Sequence, residues 1–117
     1  MNYSCQNLKI MIYSFMRLLL FFDLPTTTKA ERKVYANFRK YLINNGYMMI
    51  QFSVYCRLFN NRDAAINHIS TLQKNIPEMG HIRLMLVTER QYANTLIFIG
   101  GKTNQEKILT IDPFVLL

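Results

Sequence analysis

Two sets of residues in this 117-residue chain have the types and spacing to do chemistry. The first is one carboxylate, Asp23, which closes the apolar run Arg17-Leu18-Leu19-Leu20-Phe21-Phe22 and precedes Leu24-Pro25. A fully buried charge is costly unless it is paired or binds a metal. Asp23 therefore lies where a strand emerges into a polar site, or it merely ends the strand and accepts amide hydrogen bonds from the next turn. A lone carboxylate holds a hard cation weakly, because Mg²⁺ normally takes one or two carboxylates plus substrate phosphate. Two copies of Asp23 near a two-fold axis could share one Mg²⁺, which would let the like charges coexist. The second set is Lys29, Arg32, Lys33, Arg39 and Lys40, five of the 14 Lys and Arg residues. At about 100° per residue they gather on one side of a helix. Such a stripe is either a solvated face or a seat for a polyanion. Glu31 is the only acid within the stretch able to form i,i+4 pairs, and this favours the polyanion.

Other chemistries find no support. Gly100-Gly101-Lys102-Thr103 ends in Gly-Lys-Thr but lacks the earlier glycine and the strand-to-helix setting of a phosphate loop, so it reads as a turn. No Ser/His/Asp or Cys/His nucleophile set can be assembled. Cys5 and Cys56 are far apart, as in a reduced cytoplasmic protein, and His68 and His81 form no ligand cluster. The aromatic motif of RNA-recognition domains is missing from the expected sheet strands. A net charge of +7 with only 18% charged residues describes a packed domain with an unbalanced surface, for which polyanions are the natural partners. The apolar run ending at Asp23 is too short for a membrane span.

These residues need elements to position them. Arg17 to Asp23 reads as a strand buried on both faces and stopped by Pro25. Thr28-Lys29-Ala30-Glu31 has capping-box spacing, so a helix should run from about Thr28 to Asn45, with Gly46 supplying a positive φ. Its apolar face would hold Ala30, Val34, Phe38, Tyr41 and Leu42. Tyr47 to Leu58 alternates, with Met48, Ile50, Phe52, Val54, Cys56 and Leu58 on one side, and is long enough to bend or split between Gln51 and Val54. Asn60-Asn61-Arg62-Asp63 starts a second helix, with Ala65, Ile69, Leu72 and Ile76 inward and Pro77 and Gly80 closing it. Strands follow at Ile82 to Leu86, at Thr95 to Ile99 after a loop containing Arg90, and at Ile108 to Ile111. The order predicts an α+β, ferredoxin-like sandwich: an antiparallel sheet with two helices on one face. The uncovered face predicts a homodimer joined at the sheets, with the tail Phe114-Val115-Leu116-Leu117 crossing over or packing at its edge. Residues 1–15 lack a signal-peptide cleavage site and read as an N-terminal extension outside the fold, with residues 16–117 forming one domain.

Met16 to Pro25, the basic first helix, Gln51-Phe52-Ser53-Val54-Tyr55 and the Pro-ended second helix together resemble the CRISPR-associated Cas-two family, the small subunit of the spacer-integration complex. Asp23-Leu24-Pro25 with its threonines and the Ile111-Asp112-Pro113 ending resemble the version that accompanies type II systems. The resemblance implies a cytoplasmic homodimer that bridges dimers of the larger integrase subunit, Cas-one, and lies along captured duplex DNA. Lys29, Arg32, Lys33, Arg39 and Lys40 would then make sequence-independent phosphate contacts. It also implies an alternative, a Mg²⁺-dependent endonuclease acting on RNA or DNA, with Asp23 as catalytic metal ligand at the dimer interface. A third class is a homodimeric regulatory domain that binds a small molecule between its sheets.

Overall fold

The computed structural model describes residues 14–100 and the backbone of residues 108–111. The elements described run in the order β1 (Met16–Asp23), α1 (Lys29–Asn44), β2 (Met48–Gln51), β3 (Val54–Phe59), α2 (Arg62–Gln73), β4 (His81–Thr88), α3 (Glu89–Ala93), β5 (Leu96–Phe98) and β6 (Ile108–Ile111). The main sheet has the order β2-β3-β1-β4 and is antiparallel throughout; β5 and β6 pair separately. With α1 and α2 packed on one face, this is the ferredoxin-like α+β sandwich that the element order predicts.

The central position of β1 follows from its composition. Met16, Leu18, Leu20 and Phe22 are buried and face the helices, and alternate residues Arg17, Leu19 and Phe21 are only half-buried on the opposite face. The expectation of burial on both faces is therefore corrected. Among the described residues no helix layer covers the second face along its whole length, although α3 caps one end of it.

Helix α1 begins as its sequence dictates. Thr28 Oγ1 accepts from the Glu31 amide at 3.1 Å and Glu31 Oε1 accepts from the Thr28 amide at 2.8 Å, the reciprocal capping box. Asn45 caps the other end and Gly46 takes φ 85°. Phe38 and Leu42 are buried, but Ala30 is exposed and Val34 is 45% exposed, lining an open hollow with Leu24, Pro25, Pro77 and Met79. The inward residue there is Tyr35, which packs on the core cluster.

The expected break between Gln51 and Val54 is a hairpin turn: the chain reverses at Phe52-Ser53, with Ser53 at φ 63°, and β2 returns antiparallel to β3 with an irregularity between Met49 and Gln51. Met48 pairs with Cys56 and so keeps to one face with Val54 and Leu58, as the alternation expects, but the helices cover the other face. Tyr55 and Phe59 are the buried helix-facing residues of β3, while Leu58 on the open face is 42% exposed. Helix α2 is capped by Asn61, whose Oδ1 accepts from the Ala64 amide at 2.8 Å. It ends at Gln73, short of Ile76, which still packs against the core. Arg90 lies in α3 rather than in a loop. Thr88 and Gln91 form a second capping box, a T-x-x-Q signature the periodicity reading passed over.

The expected extension, apart from Ser14 and Phe15, lies outside the described residues. So do Gly101-Lys102-Thr103, Asp112-Pro113 and the tail Phe114 to Leu117. No helix among the described residues is long and apolar enough to cross a membrane.

Candidate functional site

Asp23 is placed by its neighbour. The Phe22 ring lies 5.5 Å from Phe38 in an edge contact, 5.6 Å from Tyr55 in a stacked one and 5.4 Å from Tyr35. Aromatic pairs at such separations favour defined geometries. With Phe22 held from three sides, the strand end has little freedom, and period-two alternation turns Asp23 outward on the open face of the sheet, where it is exposed.

Antiparallel pairing supplies its surroundings. Asp23 stands opposite His81, and the Phe22 amide donates to the Ser53 carbonyl at 3.1 Å, which ties the hairpin tip to the strand end. Phe21, Asp23, Ser53, Val54, His81 and Arg83 are among the residues around an open hollow of ≈ 400 Å³. The sequence reading did not bring Ser53, His81 or Arg83 to Asp23. The signal was indirect: in this topology the start of the fourth strand must lie beside the end of the first.

The donor set decides what this hollow can hold. Among the described residues no three His, Cys, Asp or Glu side chains gather as a metal site. One chain offers one carboxylate, one imidazole and one hydroxyl, with the cation Arg83 at the rim. A hard divalent ion prefers several oxygens, and of these the hollow offers, within one protomer, the Asp23 carboxylate and the Ser53 hydroxyl.

The cationic residues lie elsewhere. Lys29, Arg32, Lys33, Arg39 and Lys40 are all exposed on α1. Arg32 folds back, donating from one terminal nitrogen to the carbonyls of Thr26 at 3.3 Å and Thr27 at 2.8 Å. Arg39 and Lys40 share a shallow hollow of ≈ 270 Å³ with Tyr35, Ala36 and Ile43. Glu31, the one acid within α1, is committed to the capping box. Placement along the helix also matters. Three of the cations stand in the first two turns and the last turn has none, the reverse of what the helix dipole favours. Stability alone does not account for that distribution.

Two further clusters shape the flanks. Arg17 donates to both oxygens of Glu89, at 2.6 and 3.1 Å, and lies 4.6 Å over the Tyr92 ring, pinning α3 against the open face above Cys56. The Glu89 hydrogen bonds hold the Arg17 guanidinium above its ordinary pKa. On the helix side, Tyr47 Oη lies 2.8 Å from His68 Nε2, and Arg57 meets His68 Nδ1 at 3.1 Å. Burial first, and the Arg57 charge second, hold His68 below its ordinary pKa.

Comparison with known proteins finds the same pattern over most of the chain. The family described as CRISPR associated protein Cas2 matches residues 16–95. A CRISPR-associated endoribonuclease Cas2 of Acidovorax ebreus (strain TPSY) is 49% identical over 92 residues, covering 79% of this chain and 90% of that protein. A protein of the same name from Streptococcus mutans serotype c (strain ATCC 700610 / UA159) is 46% identical over 87 residues, 74% of this chain and 79% of the relative. One from Treponema denticola (strain ATCC 35405) is 40% identical over 102 residues, 87% of this chain and 100% of the relative.

Proposed function

The chain belongs to the CRISPR-associated protein Cas2 family, and we propose that it serves CRISPR adaptation as a homodimeric bridge, lying along duplex DNA and scaffolding the larger integrase subunit. The observation that carries this is the row of exposed, uncompensated cations on α1. From Lys29 to Lys40 the helix rises about 16 Å, the length of about five base steps of duplex. Cations spaced along that length suit phosphates, and contacts to phosphates position a protein without reading sequence. The second copy would meet the open sheet face, where Phe21 and Leu19 are half-covered and Met85 and Leu58 are 52% and 42% exposed.

Charge reversal at Arg32, Lys33, Arg39 and Lys40 tests the reading. Affinity for duplex DNA should fall, and the dependence of log K on log salt should flatten by about 0.9 for each phosphate contact removed. An unchanged slope would move the DNA path to another face, such as the one bearing Arg83.

One observation favours a second reading, Mg²⁺-dependent endonuclease activity on RNA or DNA: the relatives carry the name endoribonuclease, and Asp23 opens onto a hollow shared with Ser53 and His81. Asp23 from both protomers would hold the ion, which would supply Lewis acidity and a more acidic bound water. Asp23→Ala should abolish Mg²⁺-dependent cleavage by the purified protein and leave integration largely intact. Loss of integration by a variant that remains dimeric would reverse the order of the two readings.

A further inference from the structure

The β2–β3 hairpin tip carries a feature that neither a DNA bridge nor a metal-dependent nuclease requires. Phe52 is 79% exposed, the most exposed large apolar side chain among the described residues. A single exposed apolar residue is ordinary, but this one is braced. Its ring lies 6.4 Å from Tyr35 with 25° between the planes, and Tyr35 lies 5.4 Å from Phe22, which is 5% exposed. Three rings thus form a ladder from the core to the surface. The next residue, Ser53, takes the left-handed φ of 63° that non-glycine residues seldom adopt, and its carbonyl is bound by the Phe22 amide. The tip is therefore held in place rather than loosely presented.

Position adds the chemistry. Tyr35 borders the hollow that holds Arg39 and Lys40, and Ser53 and Phe22 border the Asp23 hollow. Phe52 is linked to both, through its ring contact with Tyr35 on one side and its chain neighbour Ser53 on the other. Cations beside an aromatic face are the combination that binds single strands: the charges follow the backbone and the ring stacks a base. Inside a duplex both faces of each base are covered by its neighbours, so away from the duplex ends only an unpaired base can use such a ring.

We infer that Phe52, braced by Tyr35, which shares its hollow with Arg39 and Lys40, is a stacking platform for an unpaired nucleobase of a single strand whose phosphates lie on α1. This deepens the nucleic-acid reading above and rests on α1 holding phosphates. Ring stacking is common to RNA and DNA, so the probes are fluorescein-labelled oligouridylate, oligothymidylate and a blunt DNA duplex. Phe52→Ala should weaken binding of either single strand about tenfold and leave the blunt duplex unaffected. Should only one strand type lose affinity, the platform serves that strand. The chain has no tryptophan, so Phe52→Trp places one fluorophore on the tip, and its emission should be quenched by single strands and not by blunt duplex.

Equal affinity of wild type and Phe52→Ala for both single strands, or unquenched emission at saturation, would overturn the inference. So would conversion of Phe52→Ala to a monomer, which would assign the ring to contact with a second copy. Failure of the underlying reading looks different: the charge-reversed α1 variant would keep its full affinity for duplex, whatever Phe52 does.

Discussion

Gly80 offers the sharpest test of how the Asp23 end of the sheet is built. It precedes β4 at φ +91°, and a Cβ added there would stand 2.5 Å from the Asp23 carbonyl oxygen, 2.6 Å from Leu24 Cδ2 and 3.1 Å from Leu24 Cα. Gly80→Ala thus incurs two costs. The left-handed backbone costs an L-residue about 1–2 kcal/mol, and forcing a methyl against backbone in a packed region adds about 1–3 kcal/mol. The expected loss is about 2–5 kcal/mol, a large share of a domain's usual 5–15 kcal/mol. Gly46→Ala is the control. Its φ is +85°, but its nearest neighbour is the flexible Arg57 side chain, with Nε at 3.6 Å, so only the backbone cost of about 1–2 kcal/mol applies. Urea unfolding followed by circular dichroism measures both, with the m-value held as the check on two-state behaviour. Equal losses for the two variants, or less than about 0.5 kcal/mol for Gly80→Ala, would show that the turn before β4 does not clasp the end of β1 as described.

Three further outcomes follow from the packing. Arg17→Met leaves the half-buried Glu89 carboxylate without its two charge-assisted hydrogen bonds, and thermal or urea unfolding should show a loss of about 1.5–3 kcal/mol; a change near zero would mean α3 is not anchored by this pair. His68 is held below its ordinary pKa of 6.5 by burial and then by Arg57, so between the folded pKa and 6.5 the unfolded chain binds more protons. Stability should therefore be complete above about pH 6.5 and fall as pH drops below it. His68→Gln should flatten that fall between pH 7 and 5, and an identical pH profile would refute the assignment. Tyr55 is fully buried and its hydroxyl has no hydrogen-bond partner among the described residues. Tyr55→Phe removes an unsatisfied polar atom and should leave stability unchanged or raise it by about 1 kcal/mol, whereas a loss of that size in unfolding experiments would reveal a hidden partner.

Local rules made much of the fold legible. Capping boxes and caps act within one helical turn, so Thr28 with Glu31 and Asn61 with Ala64 could be placed from residue order alone. Period-two alternation likewise marked β4. Across Tyr47 to Leu58 the excess length marked a break between Gln51 and Val54, but alternation by itself cannot reveal that the chain turns back there, at Phe52-Ser53, where Ser53 takes a conformation its residue type seldom adopts. The partly exposed Val34 was missed for a related reason: what covers each turn of a helix depends on distant segments, here Leu24-Pro25 and Pro77 to Met79, which no helical period encodes.

Sequence by itself determined the inventory: one carboxylate at a strand end, a helix carrying five cations with one acid among them, and the order of elements that makes a ferredoxin-like sandwich. These depend on residue type and near neighbours, which are written in the chain. Tertiary structure alone decided the company each residue keeps. Strand pairing across distant segments put His81 and Ser53 beside Asp23, commitment to a capping box withdrew Glu31 from the cations, and ring packing raised Phe52 into solvent on a braced tip. Such juxtapositions arise when the burial of Leu18, Leu20, Phe22 and Tyr55 selects one register for the whole sheet, and that selection is a property of the packed chain rather than of any stretch within it.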